Sequence, residues 1–320
     1  KTGVYIVPSE NKNNRLSSLL TDQSIRIQAL TEQIKQGHSK EIFKQFDKIR
    51  KAIKSVIAVG DLDTQTSVKK LIGEVTELLN TEYSSIVGLM DDIFPLVADL
   101  VTKEESAHLS SLSAATATII YVGRGDLSKA LSGTPLGVKN HSGSLLLYDF
   151  IKEWTAPHIK RINNTILQAY NQGVTTPELI KRIIGTGALR HNDGLLMRSQ
   201  RSAQAVARTA IQHVAMTSRM ETWKANKVAR RYQWVSTLDR RTSPECQALD
   251  GRMFDMGSNV LPPAHIGCRS SVTLEPDPKH AWLSEGRTRS SERGYVDANT
   301  TYFQWLKQQP MKAQIEVLGI

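Results

Sequence analysis

Cys246, Cys268 and His265, with the aspartates Asp239 and Asp250, fall within one short stretch of a 320-residue chain that has no other cysteine. Zinc takes thiolate and imidazole ligands. His265-x-x-Cys268 can present two of them from one loop while Cys246 adds a third. A fourth would have to be Asp239, Asp250 or water. Only one ligand pair is closely spaced, so other roles fit the same residues: cysteines packed as small hydrophobes, a disulfide, or a histidine bonded to backbone. Asp239, Cys246, Asp250, His265 and Cys268 are therefore expected to form a structural knot that can also hold a metal, with zinc the candidate cofactor. A metal-dependent nuclease would use His265 as base with Asp239 or Asp250 on the ion. A cysteine nucleophile beside His265 is a further option. No second histidine accompanies His265 in this loop, and the next, His280, lies in a charged, proline-flanked stretch. No catalytic residue is assigned.

Short elements must hold these side chains. Trp234, Ser236 and Leu238 alternate toward Asp239, which predicts a strand with Asp239 at its mouth. Thr242-Ser243-Pro244-Glu245 has a hydroxyl cap and a proline at the first helical position, so a short helix should carry Cys246 and Leu249. Asp250-Gly251 predicts a tight turn, with Met253 and Phe254 returning along an edge. Pro262-Pro263 stiffens the approach to His265, and Ser271–Leu274 is a second strand candidate.

Leu238-Asp239, Thr242, Cys246, Asp250-Gly251, Phe254, Pro262-Pro263, His265 and Cys268-Arg269 together resemble the signature of the Mu F-like phage minor head proteins, also called phage head morphogenesis proteins. Ala207-Arg208-Thr209, Gly173–Ile180 and the tail from Thr301 to Gly319 are similar to further parts of that family, so the resemblance covers roughly residues 145 to 320. The chain departs from the family pattern at Ser270, where a second cysteine is usual. The resemblance implies a structural, non-enzymatic minor head protein of a tailed phage. Such a protein would sit in the capsid interior, be assembled in the host cytoplasm and be associated with the portal. It would act in head assembly and in DNA retention or delivery. The implied partners are the portal protein, capsid or scaffold proteins and packaged DNA.

Charge adds to this. The net charge is +10. Between Asp149 and Val235 fourteen Lys/Arg stand against five Asp/Glu, which is nearly the whole excess. Such a block favours contact with a polyanion or with an acidic protein. Arg198, Arg201, Arg208, Arg219, Lys224, Lys227, Arg230 and Arg231 are the candidates for contact with DNA or the portal. No apolar run approaches the ~18 residues of a membrane-spanning helix. No secretory leader opens the chain, and two cysteines suit a reducing compartment. Lys1 in place of methionine points to processing, truncation or renumbering.

The first 122 residues read as helices. Leu16, Leu20, Ile27, Leu30 and Ile34 run to a stop at Gly37, and Ile42, Phe46, Ile49, Ile53 and Val56 run to Gly60. Val68, Leu71, Val75 and Leu78 make a third stripe, and Ile86, Leu89, Ile93 and Val97 a fourth. Thr102-x-x-Glu105 should open a fifth helix. The expected organisation is an N-terminal helical bundle or arm (1–122), a linker (123–143) rich in glycine and serine, and a C-terminal Mu F-like domain (144–320). Within the last, helices are expected over Leu145–Gln172 with a break at Pro157, over Pro177–Ile184 and over Arg198–Ala229. The fold class is mainly α with a small β-element (α+β).

Overall fold

The computed structural model describes residues 12–112, 119–140, 143–275, 288–297 and 299–319. It is mainly α with short strands. The apolar stripes continue further than the punctuation residues suggest. Helices α1 (Lys12–Val59) and α2 (Gln65–Leu112) are each 48 residues long, about 72 Å at 1.5 Å per residue. Gly37, read as a stop, lies inside α1. A helical glycine costs only about 1 kcal/mol, and burial of Ile27, Ile42 and Phe46 on the same helix offsets it. Thr102 and Glu105, read as a helix start, are likewise buried within α2. Gly60 does end α1. The start of α2 is capped reciprocally, the Ser67 amide donating to Thr64 Oγ1 at 3.1 Å and the Thr64 amide to Ser67 Oγ at 3.2 Å.

The expected seams are present with a small rotation. Ile42, Phe46, Ile49, Ile53, Val68, Leu71, Val75, Ile86 and Val97 are buried. Val56, Leu78, Leu89 and Ile93 are half-buried, and their neighbours Ile57, Leu79, Met90 and Phe94 take the innermost places. A strict 3–4 count drifts around a helix of 3.6 residues per turn, which moves the seam by one residue. The side chains of Leu16 and Leu20 lie outside the described residues.

Segment 123–143 departs from a plain loop. Leu127 and Leu131, one turn apart and both buried, fold Arg124–Gly133 into α3, and Lys139–Asn140 (β1) pairs with Gly143–Ser144 (β2). Then follow α4 (Leu147–Glu153), α5 (Thr155–Asn171), α6 (Thr176–Ile184) and α7 (Leu195–Asn226). The break between α4 and α5 falls at Trp154 rather than Pro157. A proline in a first turn removes an amide that has no helical partner anyway.

Helix α7 is the axis of the molecule. Every residue from Thr209 to Met220 is buried, and α1, α2, α3, α4 and α6 all pack against it. One hydrophobic core runs from Ile27 in α1 to Val272 in the C-terminal sheet. That sheet is antiparallel, with β3 (Arg231–Val235) between β4 (Met253–Asp255) and β5 (Ser271–Leu274). Between β3 and β4 lies the short helix α8 (Pro244–Leu249). The chain closes with the hairpin β6 (Thr288–Ser291) and β7 (Gly294–Asp297), then α9 (Tyr302–Lys307) and α10 (Met311–Leu318). Among the described residues no helix is long and apolar enough to cross a membrane.

Candidate functional site

The site is built where β3 ends. Ser243 caps α8, its hydroxyl accepting from the Cys246 amide at 3.3 Å, with Pro244 at the first helical position. This fixes Cys246 on the inner face of one helical turn. From the other side, the loop before β5 turns at Gly267, whose φ of +75° favours glycine. The Cys268 amide donates to the His265 carbonyl at 3.1 Å. The loop is also tied to α7, since the Gly267 amide donates to Thr209 Oγ1 at 2.9 Å.

These elements bring Cys246, His265 and Cys268 together, with ligand atoms all within 4.8 Å of one another. Cys246 Sγ lies 3.3 Å from His265 Nε2 and 3.6 Å from Cys268 Sγ. Both cysteines are free and buried. They pack with Trp234 and Ala264 in a small apolar cluster. His265 Nδ1 lies 3.0 Å from the Ile266 carbonyl. That oxygen carries no proton, so Nδ1–H is the donor and Nε2 is the nitrogen turned to sulfur.

The electrostatics single out Cys268. The hydrogen bond from the Cys246 thiol, and then that from His265, pull its pKa well below the usual thiol range in spite of burial. The same contact pushes Cys246 up. His265 is raised by its hydrogen bond to Cys268. The cluster therefore joins a thiol biased toward thiolate, Cys268, to an imidazole and a second thiol. It can act as a metal chelate or as a hydrogen-bonded clasp between α8 and the β5 loop.

Asp239 and Asp250 do not join it. Asp239 is held by Arg269 through two bonds, Nη1 to Oδ2 at 2.5 Å and Nη2 to Oδ1 at 2.8 Å. Its Oδ1 also accepts from the Arg241 amide at 3.0 Å. Burial alone would raise the Asp239 pKa, but Arg269 outweighs it and the net shift is downward. Asp250, with a fully buried side chain, is the hub of a second network. It accepts from the Ser236 amide at 2.7 Å, the Tyr302 amide at 2.7 Å and Arg289 at 2.9 and 3.0 Å. It thus fastens the end of β3 to the hairpin β6–β7 and to the start of α9. Ser236 links the two networks, its hydroxyl donating to the Cys246 carbonyl at 2.7 Å. Arg269, Arg289 and Ser236 were not predicted as site residues. Arg269 had a signal, being part of the quoted motif.

Of the basic candidates, Arg219 is a correction. It is buried in α7, its Nε 2.5 Å from Glu105 Oε1, and its Nη1 donates to Ser271 Oγ and the Val272 carbonyl, both at 3.0 Å. A guanidinium so enclosed cannot meet DNA or a partner protein. Arg208 is half-buried on Glu32 at 3.0 Å. Arg198, Arg201, Lys224, Lys227, Arg230 and Arg231 are exposed. Lys224 pairs with Glu221 and Arg231 with Glu275. Arg198, Lys227 and Arg230 have no ion pair among the described residues. His280 lies outside the described residues.

A recess of about 20 Å³, open to solvent and with room for about one water, lies over the cluster, lined by Thr242, Ser243, Cys246, His265, Arg269 and Ser270 among others. It is smaller than the ~300–1,000 Å³ typical of small-molecule sites. Residues 160–273, from α5 to β5, match the family model described as Phage Mu protein F like protein. No curated protein and no solved structure matches the chain.

Proposed function

We propose a function from one premise: through residues 160–273 this chain belongs to the Mu F-like family of phage head morphogenesis proteins. The chain is a phage head morphogenesis protein. Its finer role, in our reading, is that of a structural minor head protein in the capsid interior, associated with the portal and taking part in DNA retention or delivery. The family match carries this reading. Two features support a structural rather than catalytic role. Asp239 and Asp250, the carboxylates a nuclease would place on its ion, are each committed to an arginine. The recess beside the cysteines is also small for a substrate.

The exposed cations at the two ends of α7 fit contact with a polyanion or with an acidic face of the portal. Fluorescence anisotropy of the full chain with duplex DNA, over a salt series, tests this. If Arg198, Lys227 and Arg230 each neutralise one phosphate, log affinity should fall with log salt at a slope of about −3, whatever the DNA sequence. Arg198→Ala should reduce that slope by about one. A salt-independent or undetectable affinity would remove DNA as the partner and leave the portal, tested by co-sedimentation with portal rings. Cleavage of the DNA in magnesium, manganese or zinc would contradict the non-enzymatic reading.

A further inference from the structure

The geometry points to a zinc site of three protein ligands, Cys246 Sγ, Cys268 Sγ and His265 Nε2, with its fourth coordination position open toward the recess and held by water. This inference rests on the side-chain arrangement and not on the head-protein reading.

Tetrahedral zinc holds sulfur at about 2.3 Å and imidazole nitrogen at about 2.0–2.1 Å, which sets S···S edges near ~3.8 Å and S···N edges near ~3.6 Å. The observed separations are 3.6 Å between the sulfurs and 3.3 Å from Cys246 Sγ to His265 Nε2, and the third edge does not exceed 4.8 Å. An ion fits after shifts of a few tenths of an ångström on two edges. A disulfide needs the sulfurs to close to about 2.05 Å. The histidine is already set as a ligand, because the Ile266 carbonyl occupies Nδ1–H at 3.0 Å and leaves the Nε2 lone pair on the sulfurs. Metal-binding histidines are oriented by this kind of outer bond.

The fourth corner is the informative one. Ser270 is buried, lines the recess and carries a hydroxyl that donates to Ser236 Oγ at 3.3 Å. Serine is a poor neutral ligand for zinc, so the ion keeps a position for water, as three-ligand zinc sites do. Asp239 and Asp250 cannot fill it, being bound to Arg269 and Arg289.

The test uses the full chain, purified under reducing conditions and stripped with a chelator. Titrated with cobalt(II), it should develop thiolate-to-cobalt absorption saturating at one equivalent, with zinc displacing the cobalt. Ser270→Cys should close the site and raise zinc affinity at least tenfold. His265→Ala should lower it at least tenfold. Cys268→Ser at this buried position can itself unfold the loop, so ligation by the cysteines is read on the unmodified chain: zinc should slow alkylation of Cys246 and Cys268 more than tenfold. Absence of the cobalt–thiolate band, or alkylation rates unaffected by zinc, would overturn the site. So would recovery of the freshly purified chain as a metal-free Cys246–Cys268 disulfide.

Discussion

Asp250 shows what holds the C-terminal region together. Its buried carboxylate satisfies two backbone amides and one guanidinium on three separate elements. Removing one partner of such a pair leaves an uncompensated buried charge. Asp250→Ala should therefore cost about 3–5 kcal/mol. It should also free the start of α9, so that the emission of buried Trp305 moves to longer wavelength. Denaturant unfolding followed by tryptophan fluorescence reads both. Cys246→Ala deletes a buried group from the Trp234 cluster and should cost about 1–3 kcal/mol; an unchanged melting temperature would contradict the knot. The ligand-type residues were legible in the sequence because cysteine and histidine are rare and sat between turn residues. The aspartates were assigned to the same knot, with the metal as one role. Their partners Arg269 and Arg289 lie 30 and 39 residues away in sequence, and only the fold shows which arginine meets which carboxylate.

At the level of helices, the structure tests how far punctuation governs. A Cβ added at Gly37 meets nothing within 4 Å, and the position is exposed and helical. Gly37→Ala should stabilise the chain by about 0.5–1 kcal/mol, measured as a rise in urea midpoint at constant slope. The pair Glu105–Arg219 joins α2 to α7, with Trp223 Nε1 also donating to Glu105 at 3.0 Å. Arg219→Met alone should cost about 3–5 kcal/mol, and Glu105→Leu with it should recover much of that loss. Glu105 and Arg219 were each visible in the sequence as something else, a helix-start residue and a DNA contact. Local pattern cannot reveal burial imposed by a helix 114 residues away. By contrast, Ser243-Pro244 and Asp250-Gly251 specify α8 and its turn by local chemistry alone, and these were legible. The hairpin β6–β7 was not, since Thr288–Ser291 offers no apolar alternation.

Across the whole molecule, α1, α2 and α7 share one core, and three buried histidines, His38, His158 and His213, are all held below their usual pKa by burial. His213 is held at about 4. Above about pH 6.5 both folded and unfolded chains are neutral there and stability is full. Below it the unfolded chain takes up a proton that the folded chain refuses until about pH 4, so stability falls through that window. His213 alone should remove about 2 kcal/mol between pH 7 and pH 5. Comparison with His213→Gln isolates it, because His265, raised by Cys268, contributes in the opposite direction. A stability difference between the two proteins that does not change with pH would contradict this assignment. The mainly helical architecture with a small C-terminal sheet was legible from stripe spacing and turn chemistry. The docking of the long N-terminal helices on α7 was not, because amphipathic faces do not name their partners.

The most direct measurement is quantitative mass spectrometry of heads purified from the producing phage, before and after DNA packaging. The chain should be present in both and protected from external protease. Its absence from both particles, with free protein recovered only from the lysate, would contradict a structural role in the head.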